Sequence, residues 1–331
     1  MSAEYLFYYS LFIIPSGLST ALQGYCRNDG SPVLVSIANV AGAAINIVLD
    51  YLFIFSLKGG LAGAAIATGI AQTAVLLILT THFIFKKGQL RLSKFKPSGK
   101  QYRKVALRGL PECISQCETA ITTLWLNQVL TARLGDIAAN AYGIISYVAY
   151  FSMGISFGVS EGLQPLFGNA YGAKNENDLN FYLRAGIIVN FVGALIVNGL
   201  LLVIGRQVCG LFGASGETLD YTVNVMPLYA WGFLLTAFNT ILSAYLFSTK
   251  RTTHAIILNT LRSFIVNTFV ILVFPIVFGN DVIWHTFGIS EAIIAMVAVL
   301  LVVLSERHGI VFKQSSVDNK TQPNPIGTKS I

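Results

Sequence analysis

From Ser36 to Gln72 the chain reads SIANVAGAAINIVLDYLFIFSLKGGLAGAAIATGIAQ, two apolar runs of membrane-crossing length joined at Ser56–Gly60. Such runs constrain the fold more than any other feature. In hydrocarbon, backbone N–H and C=O groups find no water, so a spanning segment of about 20 residues must satisfy them within itself, as a helix. Similar runs place nine spans, at 5–24, 33–56, 61–85, 107–131, 138–169, 180–204, 222–247, 255–278 and 282–304. Composition agrees: 54% of residues are hydrophobic and only 11% are charged, whereas soluble domains carry about 25% charged residues. The expected fold class is an all-α polytopic membrane protein.

Charge sets the orientation. The connection 86–106, KKGQLRLSKFKPSGKQYRKVA, is basic and holds no acid. If it is cytoplasmic, every one of the 22 lysines and arginines falls on the inner side except Lys58, Arg133, Arg206 and the intramembrane Arg262. That asymmetry is the positive-inside rule. The formal charge of +7 then reflects topology and contact with anionic membrane lipids, with no nucleic-acid partner. The tail 305–331 is polar, contains proline and is expected to be cytoplasmic and disordered. MSAEYLFYYSLFII runs straight into a span without a basic leader, so no signal peptide is expected.

Acids inside spans mark the candidate chemistry, because a carboxylate in hydrocarbon is costly unless it faces the bundle interior or a water-filled cavity. Asp50 is alone in its apolar run, Asn46 shares its helix face one turn earlier, and Thr68 enters the next helix to a similar depth of roughly 10 Å. Together they can form an oxygen-lined site for a proton or a monovalent cation; the plainer reading of Asp50 is a hydrogen-bonded packing group. Glu118, in GLPECISQCETAITTLWLNQVL (109–130), lies deep in a span and can hold a second ion or face a cationic substrate, while Glu112 is nearer the interface. In MGISFGVSEGLQPLFGNAYGAKN (153–175), Glu161 and Gln164 flank Pro165, a proline suited to a gating kink. Glu291 and Arg262 are expected to form a structural ion pair. Tyr142, Tyr147, Tyr150, Phe151, Phe157, Tyr229, Trp231 and Phe238 either face lipid or line a cleft for flat organic cations. Cys26, Cys113, Cys117 and Cys209 lack metal-site spacing and read as packing thiols. No phosphate-binding loop, metal constellation or nucleophile motif is present, so no enzyme and no cofactor is expected.

Residues 17–39 also align with 237–259 at an offset of 220, each a helix, a short charged loop and the start of another helix. Such repeats mark transporters built from two similar lobes. In spelling, NIVLDYLFI followed by GGLAGAAIATGIAQ resembles the fifth and sixth helices of the multidrug and toxic compound extrusion (MATE) family. The Gly-Leu-Pro at 109–111 resembles the start of the seventh. Gly158, Ser160, Gly162, Gln164, Pro165, Asn169, Gly172 and Ala173 match the eighth, especially in the MepA-like bacterial branch. Tyr51 departs from the proline that many relatives carry after the aspartate.

The resemblance implies helices four to twelve of a twelve-helix protein. That gives a partial amino lobe at 1–85, a cytoplasmic linker at 86–106 and a complete carboxy lobe at 107–304, with the leading three helices missing. It also implies that Asn46, Asp50 and Thr68 form the amino-lobe ion site. The function implied is a monomeric antiporter of the bacterial cytoplasmic membrane that exports organic cations in exchange for H⁺ or Na⁺. Alternatives are a lipid-linked oligosaccharide flippase of the same superfamily and an inactive truncated protein.

Overall fold

Two helical units make up the protein, the first reaching Arg103 and the second starting at Lys104. The computed structural model describes residues 2–85, 88–91 and 98–308. Parts of the expected linker, 86–87 and 92–97, and the tail beyond 308 lie outside the described residues, as does the side chain of Glu112.

The first unit begins with α1 (Ser2–Ser10) and α2 (Ile13–Asn28), bent by 60° at Leu11–Phe12. The expected span 5–24 is thus a broken one. Pro15 explains the break: it has no N–H to donate to the carbonyl of Leu11. α3 (Pro32–Asp50) continues as a π-helical turn, Tyr51–Ser56, and α4 (Gly60–Ile84) returns antiparallel to it. Gly42 lies against Val75, and Gly63 lies against the backbone of Phe53, so the two helices approach closely at both levels.

The second unit holds α5 (Gly99–Leu134) from Lys104 onward, α6 (Asp136–Gly172), α7 (Glu176–Leu211), α8 (Gly216–Ala230), α9 (Gly232–Ser248) and α10 (Thr252–Thr260). A second π-helical turn, Leu261–Val266, joins α10 to α11 (Asn267–Phe278), and a 3-10 turn (Asn280–His285) leads into α12 (Thr286–His308). α5 starts inside the expected linker. Its first turn is capped by a Ser-x-x-Gln box, in which the Ser98 amide donates to Gln101 Oε1 at 2.9 Å.

Among the described residues, 7 helices are long and apolar enough to cross a membrane, or 8 if the bent α1–α2 pair counts as one span. With the bent pair counted, these match eight of the nine expected spans. The remaining expected span, 107–131, lies on α5, whose middle carries Gln116, Glu118, Thr119, Thr122, Thr123, Asn127 and Gln128. Pro165 leaves α6 unbroken; the helix runs through it to Gly172.

The offset of 220 recurs in the coordinates. α2 ends with Ser31 N donating to Cys26 O at 2.9 Å, and α9 ends with Arg251 N donating to Leu246 O at 3.1 Å. The residues between, Gly30 and Lys250, both have positive φ. Asn39 Nδ2 donates to Gln23 Oε1 at 3.0 Å, and Ser243 Oγ donates to Asn259 Oδ1 at 3.0 Å. Aromatic-on-glycine contacts repeat as well: Phe12 packs on Gly69 where α1 meets α2, and Trp231 packs on Gly288 where α8 meets α9. A methyl group at either glycine would collide with the ring.

Candidate functional sites, one in each unit

In the second unit, polar residues are stacked between two apolar cores. One core gathers Leu126, Tyr142, Ile145, Met226, Phe233, Ile271 and Phe287; the other gathers Phe167, Ile241, Tyr245, Leu258, Ile294 and Ala298. On four helices buried polar positions fall between them: Ser152, Ser156 and Ser160 on α6, Asn190 on α7, Thr236, Asn239 and Thr240 on α9, Ser290 and Glu291 on α12; on α5, Glu118 and Thr122 precede its first-core residues Leu126 and Leu130. The second π-helical turn brings Arg262 and Ser263 into the same layer. Buried polar groups must find partners, and most do. Asn190 Nδ2 donates to the Ala237 carbonyl at 2.8 Å, Ser160 Oγ donates to the Thr240 carbonyl at 3.1 Å, and the Asn267 amide donates to Thr122 Oγ1.

The centre of this layer is ionic. Arg262 Nη2 donates to Glu291 Oε1 at 2.8 Å, and Arg262 Nε lies 3.0 Å from the same oxygen. Nε is also 3.1 Å from Glu118 Oε1. The other oxygen of Glu291 accepts from Asn239 Nδ2 at 2.7 Å. Sequence reasoning kept Glu118 apart from the Arg262–Glu291 pair; the fold joins all three. Spacing could not show this, because α5, the π-helical turn and α12 meet only through tertiary packing.

Two cavities flank the cluster. Glu118 lines a recess whose walls include Thr122, Tyr142, Tyr150, Met153, Tyr229 and Phe287. Arg262 lines the other, the roomier of the two, together with Glu161, Gln164, Phe157, Thr240 and Asn259. Glu161 and Gln164 therefore share a cavity with Arg262 rather than with Glu118. The aromatics now separate: Tyr142, Tyr150 and Tyr229 line the recess and Phe157 the second cavity, while Tyr147, stacked on Phe212, and Phe151 line neither.

The first unit is built differently. Asp50 sits where α3 passes into its π-helical turn, half-buried, and its Oδ1 is buried without a hydrogen-bond partner. Asn46 Nδ2 is buried and unpartnered too, so the two side chains are not bonded to each other. The contacts of Gly42 with Val75 and of Phe53 with Gly63 set a register that brings Thr68 level with Asp50. Thr68 spends its hydroxyl hydrogen on the Ala64 carbonyl, at 3.0 Å, leaving lone pairs to offer. Among the described residues no cation pairs with Asp50. No hydrogen bond among the described residues joins Asn46, Asp50 and Thr68.

A third arrangement escaped sequence reasoning. Asp29, in the turn after α2, accepts from the backbone amides of Gln89 (2.9 Å, on Oδ1) and Leu90 (3.0 Å, on Oδ2), and its Oδ2 lies 2.9 Å from His82 Nε2. His82 is fully buried at the end of α4. The His82 hydrogen bond, aided by the two amides and opposed by desolvation, holds the Asp29 carboxyl below the usual carboxylate range. The clasp ties the chain after α4 back onto the α2–α3 turn.

The MatE family model matches residues 111–273, the stretch that supplies Glu118 and Arg262. The chain belongs to the MATE family. Its members are transporters, not enzymes, and this MATE chain is a multi-pass membrane protein. It is 26% identical over 288 residues to the multidrug export protein MepA of Staphylococcus aureus (strain MSSA476), covering 86% of this chain and 62% of the relative. The Staphylococcus saprophyticus protein of the same name is 25% identical over 291 residues, with the same coverage of 86% and 62%. The chain thus spans 62% of the length of these curated relatives. Among solved structures, a crystal structure of MATE in complex with MaL6 superposes with a TM-score of 0.81 at 21% identity, over 90% of this chain and 69% of that one. A MOP superfamily transporter from Pyrococcus furiosus gives 0.74 at 23% identity, over 81% and 61%. These likenesses show the MATE fold.

Proposed function

We propose that this MATE chain acts in secondary antiport, exporting organic cations from a bacterial cytoplasm in exchange for H⁺ or Na⁺. One observation carries the reading: a buried carboxylate, Glu118, forms part of the wall of a recess that Tyr142, Tyr150, Tyr229, Met153 and Phe287 also line, with the hydroxyls of Thr119, Thr122, Thr123 and Ser146. A negative group among π-faces suits a flat or quaternary cation, because both attract positive charge and neither asks for a hydrogen bond in return. The export function borne in the name of the staphylococcal relatives supports it.

Asp50 is the coupling-ion site in this reading. Its unpartnered Oδ1 is free to take a proton or a cation, with Asn46 and Thr68 as neighbouring ligands and the π-helical turn after it as the part that yields. Binding there removes a buried charge and so changes which packing of α3 on α4 is favoured. Glu161 and Gln164 offer a polar lining for passage through the second cavity, and Pro165 leaves one carbonyl of α6 without its helical donor, the place where that helix bends most easily. The basic linker and the tail are cytoplasmic, and the chain works as a monomer in contact with membrane lipid. A lipid-linked pyrophosphate cargo would need surplus positive charge, and the cation lining these cavities, Arg262, is already met by two carboxylates.

The test is uptake of a fluorescent organic cation into proteoliposomes driven by an imposed proton or Na⁺ gradient. Glu118→Gln should lower uptake at least tenfold, and Asp50→Asn should leave cation binding intact while abolishing its dependence on the gradient. Undiminished uptake by the Glu118 variant would remove the recess from the transport path.

A further inference from the structure

The antiport reading leaves Arg262 without a task beyond neutralising charge, yet its geometry is lopsided. Glu291 takes the Arg262 Nη2 hydrogen bond at 2.8 Å and the Asn239 amide at 2.7 Å. Glu118 has only a share of Nε, which carries a single hydrogen and lies 3.0 Å from Glu291 Oε1 and 3.1 Å from Glu118 Oε1. One guanidinium thus faces two carboxylates, all three nearly fully buried. The guanidinium keeps its charge at any working pH, so with both acids ionised the cluster carries one negative charge in excess, and that excess sits at the weakly held acid. Glu118 is also the member of the three that opens onto the aromatic recess, whereas Arg262 opens onto the second cavity.

We propose that Arg262 is a tethered competitor for cationic ligands at Glu118. It holds the carboxylate while the recess is empty, and it withdraws fully onto Glu291 when a monovalent organic cation enters. The inference rests on the reading of the recess as a cation site. It assigns Glu291 a task as well: the acid is the resting place that makes withdrawal cheap, because Arg262 keeps two hydrogen bonds to it after Glu118 is surrendered. Only a ligand with a full positive charge can replace a guanidinium there, so Arg262 sets the specificity of the site without touching the ligand.

The probe is phenyltrimethylammonium, a compact quaternary cation, titrated calorimetrically into the purified full chain in detergent. Removing the competitor in Arg262→Gln should tighten binding about tenfold, within the range of ordinary coupling between sites. Arg262→Lys, which restores a tethered cation, should return affinity toward that of the unaltered protein. Glu291→Gln removes the resting place and should weaken binding. Opposite signs from neighbouring substitutions in one cluster are not what general loosening of the fold produces. Unchanged or weaker binding in Arg262→Gln overturns the proposal. If that variant does not fold, Glu291→Gln decides: weaker binding supports the proposal, and unchanged or tighter binding overturns it. The underlying reading fails separately, if Glu118→Gln binds as well as the unaltered protein or if neither the unaltered protein nor Arg262→Gln binds the probe.

Discussion

The acids of the two units are treated in opposite ways. In the first unit Asp50 keeps a buried oxygen with no partner, on a pair of helices packed through Gly42 and Gly63. In the second, Glu118 and Glu291 share Arg262, and Glu291 has an asparagine amide besides. Yet the units follow one plan, with matching helix ends, matching Gln23–Asn39 and Ser243–Asn259 bonds and matching aromatic-on-glycine joints. The plan extends to the polar centre, where Ser19 Oγ donates to Gln72 Oε1 at 2.9 Å in the first unit and Asn239 Nδ2 donates to Glu291 Oε2 in the second, at the same offset within one residue. At that matching position the first unit carries a neutral amide, Gln72, and the second a carboxylate, Glu291. An acid left open is suited to exchanging an ion; an acid with a resident counter-ion is suited to discriminating among cations.

Stability measurements can break that contrast. Arg262→Ala leaves two buried carboxylates unanswered, and losing one partner of a buried pair costs about 3–5 kcal/mol; thermal melting in detergent should show it as a large drop. A melt within a degree of the unaltered protein would mean the cluster is open to water. Asn239→Leu removes a donor to a charged acceptor and should cost about 1.5–3 kcal/mol by the same measurement. Asp50→Asn should lie within about 0.5 kcal/mol of the unaltered protein, since no partner is lost, while its effect falls on coupling to the ion gradient. A large destabilisation there would reveal a partner for Asp50 and dissolve the contrast.

The smallest effect concerns the Asp29 clasp. Because the folded-state pKa is depressed, the clasp contributes fully above the ordinary carboxylate value of about 3.9 and is lost as pH falls through the lower folded value. Amide exchange at Gln89 and Leu90, corrected for its intrinsic pH dependence, should lose protection across that window. Asp29→Asn should remove part of that protection at neutral pH. Protection unchanged in the variant would mean that other contacts hold residues 88–91.

Apolar run length determined most of the architecture from sequence alone, because a helix in hydrocarbon has to satisfy its own backbone and its length is set by the bilayer. The repeat at offset 220 and the costly acids were legible for the same reason: each is a local departure from apolar monotony. The Ser98–Gln101 cap and the break imposed by Pro15 were legible in principle, since both act within four residues along the chain. Tertiary structure alone decided which polar groups meet. Glu118, Arg262 and Glu291 come from helices far apart in sequence, and the second π-helical turn, Leu261–Val266, rotates α11 beyond it out of the simple helical register. Asp29 reaches His82 and the Leu90 amide across gaps of 53 and 61 residues. A pairing energy depends on distance and burial, and neither exists until the helices have packed.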